Sequence, residues 1–437
     1  MEWWLVLALA LGGLLVLFAL GLPVAFSFLF INIIGVIVFW GCEAGLQQLA
    51  LSMFESVASF SLLPIPLFIL MGELMFHTKM GFHAIDVLDK WLGNLPGRLA
   101  ILTVGASTMF ATLSGSSMGT TAMMGSLLVP EMEHRGYKKS MSLGPILGSG
   151  GLAMMIPPSG MAVVLASLAK ISIGSLLIAG IVPGLLMAFF YASYILGRCR
   201  FQPSIAPSYD VPRTPLSEKI KSLVQYVIPL GSIVFLVIGL IFLGIVTPSE
   251  AAACGVFGCI LLATIYKALS WEAVTQSLLG TARVTVMTLL IIAAAKAFTQ
   301  ILAYAGATRV LVKLAVGLPV APIVIVTIMM IILLFLGTFM DVMAMMMITL
   351  PIYMPVIHAL GFNPIWFGVI MLLNIEMAFT TPPFGMLLFV MKGVAPPGTA
   401  MRDIYLAALP FLACDAVVMG LLLAFPDFAL WLPAAMR

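Results

Sequence analysis

Charge is what this sequence has least of. Only 8% of its 437 residues are Asp, Glu, Lys or Arg, against roughly a quarter in an ordinary soluble domain, which excludes a water-soluble globule. The 20 basic and 17 acidic groups are scattered through loops without a basic stripe, and this excludes nucleic acid as a partner. Cysteine and histidine are also scarce. Five cysteines, Cys42, Cys199, Cys254, Cys259 and Cys414, lie in or beside apolar runs without metal-ligand spacing and read as small buried hydrophobes. The four histidines, His77, His83, His134 and His358, are dispersed near loops, so no zinc cluster is visible. Strict alternation of apolar and polar residues is missing too, which excludes a β-barrel.

What is present is long apolar sequence. Hydrophobic residues make up 62% of the chain and the mean hydropathy is +1.20. Continuous runs at 5–20, 24–39, 172–197, 223–246, 284–295, 323–340 and 404–426 predict an all-α integral membrane protein with ten to twelve crossings at roughly 20 residues each. All seven tryptophans fall at or near the edges of these runs, at headgroup level. The opening MEWW has an acid and two interfacial aromatics in place of a basic leader, so the first apolar run is expected to stay.

The chain is written twice. Displacement by 225 positions carries Pro23 to Pro248, Gly81 to Gly306, Pro130 to Pro355, Gly136 to Gly361, and the string Pro157, Pro158, Gly160, Met161 to Pro382, Pro383, Gly385, Met386. Eight matches in register are read as two halves, 1–205 and 225–437. Between them the polar, proline-rich stretch 198–221 supplies a linker, placed at 206–224, and its basic groups make it cytoplasmic. The segment HRGYKK, 134–139, carries three Lys/Arg where its counterpart HALGFN, 358–363, carries none. Corresponding loops then lie on opposite faces, which makes the repeat an inverted one. Two amphipathic stretches, 83–98 and 270–283, are expected along the membrane interface.

IPPSGM, 156–161, and TPPFGM, 381–386, break apolar helices in the same way. Proline removes an amide donor and frees carbonyls one turn back, and irregular backbone at membrane depth survives only where it is packed in protein or lines a cavity. Two such breaks in corresponding places predict a central binding site built from discontinuous helices, at 156–160 and 381–385. Upstream of each lies a polar or Gly-containing segment long enough for a re-entrant hairpin, about 111–132 and about 336–355. The first clusters Ser114, Ser116, Ser117, Thr120 and Thr121 around two glycines; the second holds Gly337, Thr338 and Asp341. Hydroxyl and carbonyl oxygens converging from hairpin tip and broken helix suit sodium.

Charges inside apolar runs mark functional candidates. Lys296 lies deep in a span and could attract a carboxylate; Glu73 stands two positions from its repeat equivalent, and Asp341, Glu250, Glu376 and Asp415 are further candidates. An intramembrane hydrolase is disfavoured, because no His or Lys shares a segment with Ser116 or Ser117 to activate either.

In order along the chain, LSGSSMGTTAMMGSLLVPEMEHRGY, IPPSG, VTPSEAAACG, LGTFMD and TPPFG resemble the large membrane subunit of tripartite ATP-independent periplasmic (TRAP) transporters. The resemblance runs along nearly the whole chain. It implies an inverted-repeat elevator transporter of the bacterial inner membrane, with two re-entrant hairpins and two discontinuous helices. It further implies sodium-coupled import of a small organic anion bearing a carboxylate. A periplasmic substrate-binding protein would deliver the anion, and a small DctQ-like membrane subunit would be present as a separate chain. No GxxxxGK run followed by Ser or Thr is present, in keeping with transport not driven by ATP. By the same resemblance Ser114 and Ser117, with backbone at Ala153, Ile156 and Pro158, form one sodium site. Gly337, Ala378, Thr381 and Phe384 form the other. Ser116, Thr120, Lys296, Asp341 and Thr380 are the substrate candidates. Relatives often carry glycine where this chain has Ala153 and Ala378, and Phe384 stands at the repeat equivalent of Ser159. The alternative is a sodium/anion symporter of inverted-repeat fold that needs no binding protein.

Overall fold

The computed structural model describes residues 2–93, 95–207 and 215–436, apart from the side chains of 81–84 and 111–114. Among the described residues all regular structure is helical. Seven of the described helices are long and apolar enough to cross a membrane, or eight if Lys139–Met155 and Gly160–Ala169, bent by 46°, count as one span. Five further apolar helices have only 10–17 residues. The expected ten to twelve crossings were reckoned from chain length at roughly 20 residues each; by length and composition seven or eight described spans qualify, and further apolar length lies in shorter helices.

The period of 225 extends to the helices themselves. So displaced, Ser117–His134 falls on Val342–Ala359 and Lys139–Met155 falls on Pro364–Thr380. Gly136 and Gly361 come after the first of each pair with φ of +81° and +75°, a backbone region where a side chain is disfavoured. Each expected hairpin segment, 111–132 and 336–355, overlaps two consecutive helices. The first arms are Arg98–Ser114 and Pro322–Gly337, and the second arms are Ser117–His134 and Val342–Ala359. The first arms are as apolar as spanning helices, so composition alone marks only the polar tip and the second arm.

Two other boundaries move. The stretch 270–283 is no separate interfacial helix but the start of Trp271–Tyr304, a 34-residue helix with no proline to stop it. In the second half the strongly amphipathic helix is Ala307–Val316, paired by position with Met80–Leu92. Within the linker, 208–214 lies outside the described residues, and Leu216–Ser222 is already helical, passing through a π-helical turn at Leu223–Val227 into Ile228–Phe242.

Packing sorts the helices into two groups. Trp271–Tyr304 lies against Val24–Trp40, Cys42–Val57 and Pro64–His77. Hydrogen bonds join them, Asn32 Nδ2 donating to Ala294 O (2.6 Å) and Ser52 Oγ to Gln300 Oε1 (2.7 Å), beside an edge-to-face Phe28–Phe298 contact at 5.1 Å. Such polar contacts and close packing hold membrane helices together where lipid removes the hydrophobic difference. In the second group Ile173–Phe201 packs on Met401–Ala424 and on all three of Leu152–Met155, Gly160–Ala169 and Pro364–Thr380. Trp366 Nε1 donates to Leu422 O (2.8 Å) there. The second hairpin arm Val342–Ala359 is 72% buried over its most apolar window, against 22% for Leu216–Phe242, so its methionines face protein.

Candidate functional site

The first hairpin turns at Gly115, whose φ of +60° suits glycine. A Cβ built there would lie 3.4 Å from the Pro158 carbonyl oxygen and 3.7 Å from the Gly160 nitrogen, so the tip rests on the first break. Ser116 caps the second arm, its Oγ accepting from Gly119 N–H at 3.1 Å, and Thr120 Oγ1 donates to Ser116 O at 2.8 Å. One residue on, Ser117 is buried and its Oγ has no hydrogen-bond partner among the described residues; Thr121 Oγ1 is in the same condition. Thr121 Oγ1 faces the helix that leads into the break, where a Cβ at Gly150 would collide with it; the main-chain oxygen of Ser117 lies 3.7 Å from the same point. Buried hydroxyls without partners cost about 1–3 kcal/mol each, a penalty that a bound cation would relieve.

Past Gly150 and Gly151, Ala153 is fully buried and the helix stops at Met155. Ile156, extended, still donates its N–H to Leu152 O at 2.9 Å. Ser159 then caps Gly160–Ala169, accepting from Ala162 N–H at 3.3 Å. A helix C-terminus and a helix N-terminus thus meet at the first break, presenting partial negative and partial positive charge respectively. The Pro157–Pro158 and Pro382–Pro383 peptides are both cis. The side chain of Ser114 lies outside the described residues.

The second break is more self-contained. Gly337 ends the first arm, and a Cβ there would lie 2.5 Å from Ala378 Cβ and 2.9 Å from Met345 Sδ, so the two expected site members are in contact. Thr338 donates to Phe335 O (2.7 Å), Thr380 to Met377 O (3.1 Å) and Thr381 to Met377 O (2.6 Å). Asp341 caps the second arm by accepting from Met343 N–H at 2.9 Å. Around Gly385 backbone oxygens crowd: a Cβ would lie 2.5 Å from Phe379 O and 2.9 Å from Thr381 O, while Pro383 O accepts from the Tyr405 hydroxyl at 2.8 Å. Phe384 is 51% exposed and leans on Phe339 at 5.5 Å between ring centres.

A cavity of about 180 Å³ joins the hairpin tip to both halves; Gly115, Ser116, Ser117, Gly160, Met343 and Phe379 line it together with Glu73 and Thr288. Lys296 is elsewhere. It lines a larger cavity of about 630 Å³ with Lys170, Thr299, Gln300, Pro351 and His358, and its ammonium stands 3.8 Å from the exposed Glu55 carboxylate. The substrate candidates are therefore not assembled in one place. Ser116 reaches the small cavity and Lys296 the large one, whereas the hydroxyls of Thr120 and Thr380 and the carboxylate of Asp341 bond the backbone of their own helices. Thr121, named in the expected hydroxyl cluster but not among the expected sodium ligands, and Gly150, not singled out in the sequence, meet in the fold. Thr121 sits one helical turn after Ser117, and that spacing was the available signal.

The fold matches that of the Alcanivorax borkumensis YdaH transporter, with a TM-score of 0.62 at 14% identity over 87% of this chain and 88% of that one. The C4-dicarboxylate TRAP transporter large permease DctM of Pseudomonas aeruginosa is 33% identical over 89% of both chains. The isethionate TRAP transporter permease DctMQ of Oleidesulfovibrio alaskensis is 32% identical over 84% of this chain and 57% of its own length. TRAP large permeases work with a small subunit and a periplasmic binding protein, and they are inner-membrane transport proteins, not enzymes. Residues 11–428 match the family of the tripartite ATP-independent periplasmic transporter, DctM component, and the chain belongs to that family as a multi-pass large permease.

Proposed function

We propose that this permease imports a small organic anion bearing a carboxylate, coupled to sodium, by an elevator movement of the hairpins and broken helices against the group built on Trp271–Tyr304. The observation that carries the reading is the pair of buried hydroxyls of Ser117 and Thr121, one helical turn apart and without a partner among the described residues, with Thr121 Oγ1 set against Gly150. Oxygens without donors, close to a helix C-terminus, are what a hard monovalent cation requires. The second cation would use carbonyls instead, those of Phe379 and Thr381 beside Gly385, in the half where Gly337 packs on the Ala378 side chain. The halves 1–205 and 225–437 are taken as inverted, on the basic loop HRGYKK facing the uncharged HALGFN.

Anionic cargo agrees with the relatives' names, since C4-dicarboxylates and isethionate are both organic anions. Lys170 and Lys296 in the 630 Å³ cavity would attract it. The binding protein delivers it, and a separate DctQ-like chain extends the membrane scaffold; the DctMQ relative is the arrangement in which one name covers both components. The test is uptake into proteoliposomes holding the permease and its small subunit, with binding protein outside and an imposed sodium gradient. Uptake that persists when sodium is replaced by potassium overturns the coupling, and uptake without the binding protein overturns delivery.

A further inference from the structure

Glu376 is 1% exposed, and neither of its carboxyl oxygens has a hydrogen-bond partner among the described residues. It lies on Pro364–Thr380 against the backbone of its own repeat equivalent, Gly151, where a Cβ would overlap Oε1 and fall 2.5 Å from Oε2. Glycine at 151 is what leaves room for the carboxyl. The charged group close enough to act on Glu376 is another acid, Asp415, 2% exposed on Met401–Ala424. Asp415 accepts from the hydroxyl of the fully buried Tyr191 on Ile173–Phe201.

Cations do not balance these acids. Arg198, seven residues along the helix from Tyr191, is about 10 Å away by helical rise. Arg402, thirteen residues from Asp415, is about 20 Å away. Lys392, on the helix after the second break, donates to Thr399 O. Among the remaining elements packed on Pro364–Thr380, Pro322–Gly337, Leu152–Met155 and Gly160–Ala169 carry no titratable side chain; on Val342–Ala359 Tyr353 donates to Met329 O and His358, in the last turn, lines the 630 Å³ cavity with Lys296, and Asp427–Ala434 brings a further acid, Asp427, in its first turn. The neighbour of Asp415 on its own helix is the thiol of Cys414. No group of three or more His, Cys, Asp or Glu side chains able to hold a metal ion occurs among the described residues. An ionised carboxylate with no partner in such surroundings costs far more than a folded protein can sustain, and of the cations available only a proton needs no volume.

We propose that Glu376, Asp415 and Tyr191 form a buried proton-binding site, with the proton on the Glu376 carboxyl and the single negative charge on Asp415, where the Tyr191 hydroxyl donates. Uptake of a proton from water converts the Glu376 carboxylate to the neutral acid; its release leaves two negative charges in the packed core. The site is separate from the hydroxyl pair proposed for sodium and shares a backbone with it, because Gly150 faces Thr121 and the next residue, Gly151, faces Glu376.

The test uses the purified full chain in lipid nanodiscs. Infrared absorption at neutral pH is expected to contain the C=O stretch of a protonated carboxylic acid that is lost in Glu376→Gln and kept in Asp415→Asn. Glu376→Gln, which reproduces the neutral acid in shape, is expected to unfold at the wild-type temperature or above it, and Glu376→Ala below it. The native state holds a proton that the unfolded chain releases above the ordinary glutamate value of about 4.3, so wild-type stability falls as pH rises from there toward the point at which the native carboxyl gives up its proton, and that slope is reduced in Glu376→Gln. A spectrum unchanged by Glu376→Gln, a band lost in Asp415→Asn, or a Glu376→Gln protein as unstable as Glu376→Ala each overturns the proposal.

Discussion

Ser116 and Asp341 stand 225 positions apart and do the same work, each capping the second arm of its hairpin through a backbone N–H. One residue further the halves part. Ser117 buries a hydroxyl that nothing satisfies, and Val342, at the equivalent position, has none to offer. At the breaks the contrast continues: Ser159 caps the helix that leaves the first, whereas Phe384 turns outward and the helix leaving the second has no side-chain cap. The hydroxyls of Thr338, Thr380 and Thr381 are all engaged by carbonyls of their own helix. One backbone plan, used twice, thus offers side-chain oxygens in the first half and main-chain oxygens in the second.

The glycines after the proline pairs give the largest expected difference. Gly385→Ala would drive a methyl into the carbonyls of Phe379 and Thr381, backbone that cannot step aside, whereas Gly160→Ala meets nothing closer than Ile69 at 4.0 Å. The first is expected to destabilise by at least about 1–3 kcal/mol or to prevent folding, and the second by no more than about 0.5 kcal/mol, as read by thermal unfolding in detergent. Equal losses would mean that the breaks are packed alike.

Next come the hydroxyls. Ser117→Ala is expected to raise the sodium concentration for half-maximal uptake about tenfold, which corresponds to about 1.4 kcal/mol, while raising stability in sodium-free buffer because an unsatisfied buried oxygen is gone. Thr381→Ala, whose hydroxyl is already bonded, is expected to change the same midpoint by less than about threefold, or roughly 0.7 kcal/mol. A reversal of the two would assign the side-chain ligand to the second half.

Removing a cap has a smaller effect. Ser159→Ala is expected to lower stability by about 1 kcal/mol, seen as a lower unfolding temperature with the sodium midpoint unchanged. Smallest in stability is Lys296→Ala. Its ion pair with Glu55 is loose and open to solvent, and such pairs contribute about 0–1 kcal/mol. The unfolding temperature should hold while the substrate concentration for half-maximal uptake rises; unaltered uptake kinetics would leave the lysine with no part in attracting the anion.

Much of the architecture could be read from residue order. Pro157, Pro158, Pro382 and Pro383 interrupt helices wherever the surrounding sequence leads, because the missing amide is a property of the residue. Gly136 and Gly361 likewise announce equivalent turns. Hairpin starts were less legible, since Arg98–Ser114 is composed like any crossing helix, and 270–283 looked interfacial because its charges are visible and the helix that continues beyond it is not. Lys296 stood out as a charge in a span, yet its distance from Ser117 across two separate cavities has no counterpart in the linear order.

Local covalent constraints were enough to mark the helical membrane class and the positions of both breaks, because each depends on what a single residue or its near neighbours can do. Which oxygens are left without partners, that Gly151 makes room for Glu376, and that Asp415 and not a cation stands beside it depend on helices far apart in the chain arriving at one point. Burial and partnership belong to pairs of residues, and only packing decides the pairs.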